Sequence, residues 1–276
     1  MFSSWDDVVA YHAASPRLAF GIGIVAAQLW FVIALSAGLD FAYRHGPARW
    51  RISNGRQAGR EGTRWLFWAL VNQAVTCATA FTAGDILKLG VRLTPTTNDG
   101  GAGAGSALLR AVVSVILMSV LSDCGLYWGH RLLHYSPWLW RHVHSVHHQV
   151  RDPTALSILL IHPLDTLIQQ AAPMMLAALI VHPTLAAFYA FTCFHLAETT
   201  AFHSGLRPGW LSALAFAHAR WVPGRASIAH HDNHHKYCNH GGRATNLGEA
   251  LFVWDWAFGT LQPASLTRRG PQQKKK

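Results

Sequence analysis

The chain has 276 residues, of which 51% are hydrophobic and only 13% charged, against roughly 25% charged for a soluble domain. Its formal net charge is +10, but the basic residues sit in loops beside apolar runs instead of interleaving with aromatics, which sets nucleic acid aside. Cys77, Cys124, Cys193 and Cys238 are scattered with no C-x-x-C pair, so neither a disulfide framework nor a zinc ribbon is implied, and they read as small packing residues.

In chain order, "MFSSWDDVVAYHAASP" carries two aspartates and leads into a full-length apolar run, which is unlike a cleaved leader. Leu18 to Leu39 is uncharged between Arg17 and Asp40, and Leu66 to Gly84 is uncharged between Arg64 and Asp85. Each approaches the ~20 residues that cross a hydrocarbon core. Between them Arg44, Arg49, Arg51, Arg56, Arg60 and Arg64 face one acid, Glu61, so the positive-inside rule assigns this segment to the cytoplasm. The Gly-rich stretch Thr94 to Ser106 then reads as a flexible exterior loop. A third helical run, about Ala107 to His134, returns inward and brings His130 and His134 to the cytoplasmic boundary.

Ser136-Pro137 predicts the cap and first position of a short helix carrying "WLWRHVHSVHHQV", and Asp152-Pro153 ends it. After Asp165 no Asp, Glu, Lys or Arg occurs until Glu198, and His182-Pro183 splits the run into arms of about 16 and 15 residues. This predicts a helical hairpin that crosses part of the bilayer and returns the chain to the same side near His203. The expected fold class is all-α: an integral-membrane bundle of about four spans, two of its helices a re-entrant hairpin, under a cytoplasmic histidine-rich helical cap. Residues 1–106 form its N-terminal membrane region, 107–262 the unit that carries the chemistry, and 263–276 a basic disordered tail suited to anionic lipid.

Asp123, Tyr127, His130 and His134 fall on one stripe of a helix. An acid in a membrane segment needs a partner, so Asp123 is expected to accept a ring N–H from a metal-bound histidine, with Tyr127 beside it. "HSVHH" puts His144, His147 and His148 on one side of a short helix, and "HDNHH" repeats the spacing with His231, His234 and His235. With His130 and His134 these make eight imidazoles, too many for one tetrahedral zinc and suited to two metals. His142, His230 and His240 lie near enough to hydrogen-bond ligands, while His12, His45, His182 and His218 have no partner at a useful spacing. A histidine-rich metal transporter would place ligands near the bilayer midplane, and a zinc hydrolase would carry HExxH, which is absent.

"HRLLH", "HSVHH" and "HDNHH", in that order, resemble the histidine boxes of the fatty acid hydroxylase/sterol desaturase superfamily of integral-membrane di-iron enzymes. "TNLGEALFVWDWAFGTL" at Thr245 to Leu261 resembles that family's closing segment. The resemblance adds His203 in "FHSGLR" to the metal ligands, and marks His162 in "IHPLD" more weakly. His195 and Glu198, one turn apart, are expected to support the ligands or line a lipid cavity. The resemblance implies two irons, with zinc as a replacement in purified protein, and O2 as cosubstrate. The implied activity is hydroxylation of an unactivated C–H bond of a sterol, fatty acyl chain, alkylglycerol or carotenoid, with desaturation as the alternative. No dinucleotide fingerprint, haem site or iron–sulfur spacing is present, so electrons are expected from a partner, a ferredoxin or a cytochrome b5-like protein with its reductase. A basic surface near Arg141, Arg220, Arg225, Lys236 and Arg243 is the expected dock for it.

Overall fold

The structure is a computed structural model and describes residues 2–52, 62–93, 104–207, 224–238 and 243–262. Arg56 and Arg60, the Gly-rich stretch up to residue 103, His218, Arg220, His240 and the basic tail lie outside the described residues. Among those described, the regular elements are helical, with only isolated bridges such as Arg51 to Leu206 and Arg225 to Leu251.

Helix α1 (Trp5–Ala14) begins at a capping box, in which Asp7 N–H donates to Ser4 Oγ and the Asp7 carboxylate accepts from Ser4 N–H. Pro16 occupies the first turn of α2 (Pro16–His45), which passes through a π-helical turn at Leu29–Ala34. Helix α3 (Gly62–Thr82) meets α4 (Gly84–Gly90) at a 51° bend. Helix α5 (Ala104–Tyr135) is the longest, and the short α6 (Pro137–His142) follows it. Helices α7 (Pro163–Val181) and α8 (Leu185–Phe202) are joined at the break expected at His182-Pro183, and both pack on α5; α9 (Ile228–Tyr237) and α10 (Val253–Ala257) are the last of the described helices. Helices α2, α5 and α7 are long and apolar enough to cross a membrane, and α3 with α4 makes a fourth if the bent pair is one span.

Helix α5 lies along α7 and α8, while α2 packs on α3 and α4. The main apolar core gathers Phe20, Leu87, Met118, Phe188 and Phe191 toward one end of the bundle. From Met118 to His134 is sixteen residues of continuous helix, about 24 Å at 1.5 Å per residue, so α5 links this apolar end to a polar one. At the polar end Leu39 and Tyr43 of α2 pack with Phe202, Leu206, Ala226 and Ile228, and Ile52 N–H donates to Gly205 O at 3.0 Å. The arginine-bearing end of α2 therefore adjoins the end of the bundle that holds the histidines.

Two glycines set the approach of α7 to α5. A Cβ on Gly125 would sit 2.8 Å from Pro173 Cβ, and one on Gly129 2.9 Å from the Ile168 carbonyl oxygen. The second contact is with backbone and has no rotamer to yield. Gly129→Val is expected to destabilise the fold by about 1–3 kcal/mol, as overpacking does, and a thermal melt of the purified protein measures it.

Candidate metal centre

The last turns of α5 place His130 and His134 on one face, both buried. Ser136 then caps α6, its Oγ accepting Leu139 N–H, with Pro137 at the first position as the sequence predicts. The helix does not continue through "HSVHH". It ends at His142, Val143 turns out of helical geometry, and His144–Gln149 forms a 3-10 segment. From this segment His144 and His148 reach one group of imidazoles and His147 reaches another, so the expectation that His144, His147 and His148 share one side is corrected. The third box lies on α9, opened by Ser227 Oγ accepting His230 N–H.

Nine buried imidazoles meet in two adjoining groups. His130, His134, His144, His148 and His234 form one; His147, His203, His231 and His235 form the other; within each, the ligand atoms all lie within 4.8 Å of one another. The second and third boxes each contribute to both groups. His147 and His235, with ring centroids 4.6 Å apart, stand beside His148, which is 4.9 Å from His235.

The hydrogen bonds on the far side of each ring indicate what the groups can hold. Nδ1 of His130, His234, His203, His235 and His147 donates to the carbonyls of Leu247, Thr245, Thr199, Val150 and Leu160, and Nδ1 of His144 donates to Asp165 Oδ2 at 2.6 Å. These acceptors assign the tautomer, leaving Nε2 of all six as a bare lone pair aimed inward. Nε2 atoms then approach in six pairs: His134 with His144 (3.1 Å) and His234 (3.2 Å), His148 with His234 (3.1 Å), His203 with His147 (3.3 Å) and His231 (3.0 Å), and His231 with His235 (3.1 Å). At most His134, His148 and His231 have a proton to give and each proton serves one contact, so at least three contacts have no hydrogen bond, and His147 with His203 sets lone pair against lone pair. A cation between the rings removes that conflict, and neighbouring nitrogens about 2.1 Å from a common ion stand about 3.0–3.4 Å apart, the spacing seen. The donor set fits imidazole-binding metals such as iron, zinc or copper.

Burial suits the rings to this task. It depresses His203 to about 4 and His234 to about 3, and holds His147, His148, His231 and His235 well below the ordinary value, so these are neutral at pH 7, the form that binds metal. In the unfolded chain the same rings titrate near 6.5. The unfolded state therefore takes up protons first as pH falls, and stability is full above about 6.5 and declines toward 4. Metal-free protein is expected to melt at a lower temperature at pH 5.0 than at pH 7.5.

The carboxylates divide differently from the expectation. Asp123 is buried, but its oxygens accept the backbone N–H groups of Ala250 and Leu251 and the Trp254 indole N–H. Its expected bond to a histidine is thus corrected: the acid ties α5 to the closing segment. Tyr127 does the same, its hydroxyl meeting Thr260 Oγ1 at 2.9 Å and accepting from Arg131. The histidine partners are acids that spacing had not singled out. Asp165 orients His144 and is itself held by Gln169. Asp255 accepts from Leu247 and Gly248 N–H and from Thr260, fixing the loop whose Leu247 carbonyl receives His130, and it also meets His230 at 3.1 Å. Glu249 lies with Oε1 4.0 Å from His203 Nδ1; burial first, then the nearby Asp123 and Glu198 carboxyls, pushes it up to about 8. Asp165 stands in the same "IHPLD" that marked His162, so a signal was present.

Other histidines lie apart from the two groups. His162 caps the start of α7, accepting Leu164 N–H; His195 Nε2 donates to Gln170 Oε1 at 2.5 Å; His142 is exposed. Arg225 is corrected too, since it forms a largely buried ion pair with Glu198 at 2.5 Å and is no part of an open basic surface.

An apolar slot reaches toward this centre between α2, α3, α7 and α8, enclosing about 680 Å³ of empty space with its open mouth included. Ile24, Val75, Ala80, Leu167, Met174 and Met175 line it, and none of its lining residues carries a formal charge at neutral pH.

Comparison with known proteins agrees with this geometry. The family model described as fatty acid hydroxylase matches residues 115–260, which include all nine histidines. The very-long-chain aldehyde decarbonylase GL1-8 of Oryza sativa subsp. indica is 33% identical over 151 residues, 54% of this chain and 52% of that protein. Methylsterol monooxygenase 2-2 of Arabidopsis thaliana is 30% identical over 148 residues, 53% of this chain and 51% of that protein. The chain spans about half the length of these curated relatives. No solved structure matches it significantly. With more than half of its length matched by the family model, and the histidines of that region drawn into two adjoining groups, the chain belongs to the fatty acid hydroxylase family.

Proposed function

We propose that this chain is a membrane-bound oxygenase that uses O2 and two irons to hydroxylate an unactivated C–H bond of a lipid, with residues 107–262 as the catalytic unit. The observation that carries the proposal is the meeting of nine buried imidazoles, lone pairs inward, beside an apolar slot. His130, His134, His144, His148 and His234 would hold one iron and His147, His203, His231 and His235 the other. Bound there, the irons supply O2 activation and oxidation of the C–H bond.

The chain's own residues do the rest. Carbonyls and Asp165 lock ring orientation, so little reorganisation accompanies the reaction. Burial of every ring excludes bulk water, and the uncharged slot admits hydrocarbon from the bilayer. The relatives named for a methylsterol and for very-long-chain aldehydes are consistent with an apolar substrate. The adjacency of the arginine-bearing end of α2 to the histidines supports a metal site on the cytoplasmic side. Electrons would arrive there from a partner redox protein such as a ferredoxin or cytochrome b5-like donor. Arg141, Lys236 and Arg243 are exposed on the described surface, and a donor docking on them makes turnover salt-sensitive.

Purified protein is expected to hold two irons per chain and to place 18O from 18O2 into a lipid product. An alkene without 18O would reassign the chemistry to desaturation. Metal flux without lipid oxidation would overturn the proposal.

A further inference from the structure

The slot does not end on the histidines. Its inner wall includes Gln170 and His195, joined to each other by a hydrogen bond. Gln170 also lines a small chamber containing His130, His147, His203, His231, Thr199 and Glu249, while His195 borders a third hollow that shares Thr199 and Glu249. The three spaces thus adjoin across two polar side chains. Gln170 reaches this place from a π-helical turn, Leu167–Ala171, in which Gln169 turns instead to Asp165. Glu249 is 5% exposed; the Thr199 hydroxyl and the Gln170 amide bear on its carboxyl, and its Oε1 is buried with no hydrogen-bond partner of its own. A buried acceptor left open between an apolar slot and a chamber of imidazoles points to a ligand that brings a polar atom.

We infer that Gln170, His195 and Glu249 form a seat for the oxygen-bearing end of an uncharged lipid, a hydroxyl or a carbonyl, with its hydrocarbon lying in the slot. This rests on the proposed oxygenase function and names its substrate class. The oxygen exchanges hydrogen bonds with the Gln170 amide N–H or Glu249 Oε1, while His195 holds the Gln170 amide in place through its own N–H. The carbons beside it then face His147, His203 and His231. A carboxylate is disfavoured, because no cation lines the slot to offset the burial of its charge.

The test is competition against photo-crosslinking of a diazirine-bearing octadecanol to the full chain in lipid nanodiscs, with metal content measured in parallel. Octadecanol and octadecanal are expected to compete about tenfold better than octadecane, the scale of one net hydrogen bond, and octadecanoate worse than either. Cholestanol against cholestane repeats the comparison on a sterol skeleton, and a preference in either pair supports the seat. Gln170→Leu and His195→Leu should erase the preference with metal content unchanged, and Thr76→Phe, which fills the slot, should block crosslinking. Equal competition within both pairs, octadecanoate as the best competitor, or a preference that survives both leucine variants would overturn the seat. A chain that binds two irons and oxidises lipid without an oxygen preference loses the seat alone. One that keeps the preference but takes up no iron loses the oxygenase reading instead.

Discussion

His234→Ala is expected to lower turnover by on the order of a thousandfold or more, a barrier increase of at least about 4 kcal/mol, and to leave about one metal per chain. His234 Nε2 lies 3.2 Å from His134 Nε2 and 3.1 Å from His148 Nε2, while its Nδ1 donates to the Thr245 carbonyl at 2.7 Å. Its removal takes a nitrogen from the middle of the five-histidine group and leaves that carbonyl without its donor. His147→Ala makes the complementary case in the four-histidine group, where His147 Nε2 stands 3.3 Å from His203 Nε2. Each variant should lose one ion and retain the other, which metal analysis of the purified proteins reads directly. Two metals retained with normal product formation in either variant would contradict the assignment of ligands.

The second large effect is expected at Asp165, which touches no other member of the metal groups than His144. Asp165→Ala should weaken metal binding or activity by about 10–100-fold, the usual loss when a carboxylate behind a ligating histidine is removed. Both side chains of the His144–Asp165 pair are fully buried, so the freed Nδ1–H finds no water to replace the acceptor. Asp165→Asn keeps an oxygen for that N–H and should retain more activity than the alanine variant. Metal titration of the apo proteins separates lost affinity from a slower chemical step. Asp123→Ala provides the contrast: its partners are Ala250, Leu251 and Trp254, so the expected loss is in thermal stability, with metal affinity per folded molecule less affected.

The large elements were legible because they depend on local pattern. An uncharged run near 20 residues has one economical fate in a bilayer, and His182-Pro183 interrupts such a run wherever it folds; α7 and α8 meet there. The cap at Ser136 and the start at Pro137 also follow from neighbours in sequence. The helix expected through "HSVHH" ends early for an equally local reason, since helical spacing does not reveal that Val143 leaves helical geometry and that the next residues wind more tightly.

By itself the sequence determined which nine histidines to consider together, eight by spacing and His203 by resemblance, along with the all-α class and the family of the chain. Composition and box spacing are properties of the chain that survive any detail of packing. Only the tertiary structure decided how five of those rings join one group and four the other, with two boxes divided between them. It alone replaced Asp123 with Asp165 as a histidine's partner and brought Gln170 against His195 at the end of an apolar slot. The reason is that helical periodicity fixes which way a side chain leaves its own helix, whereas its partner depends on how distant helices approach, as where Gly125 and Gly129 admit α7 to α5.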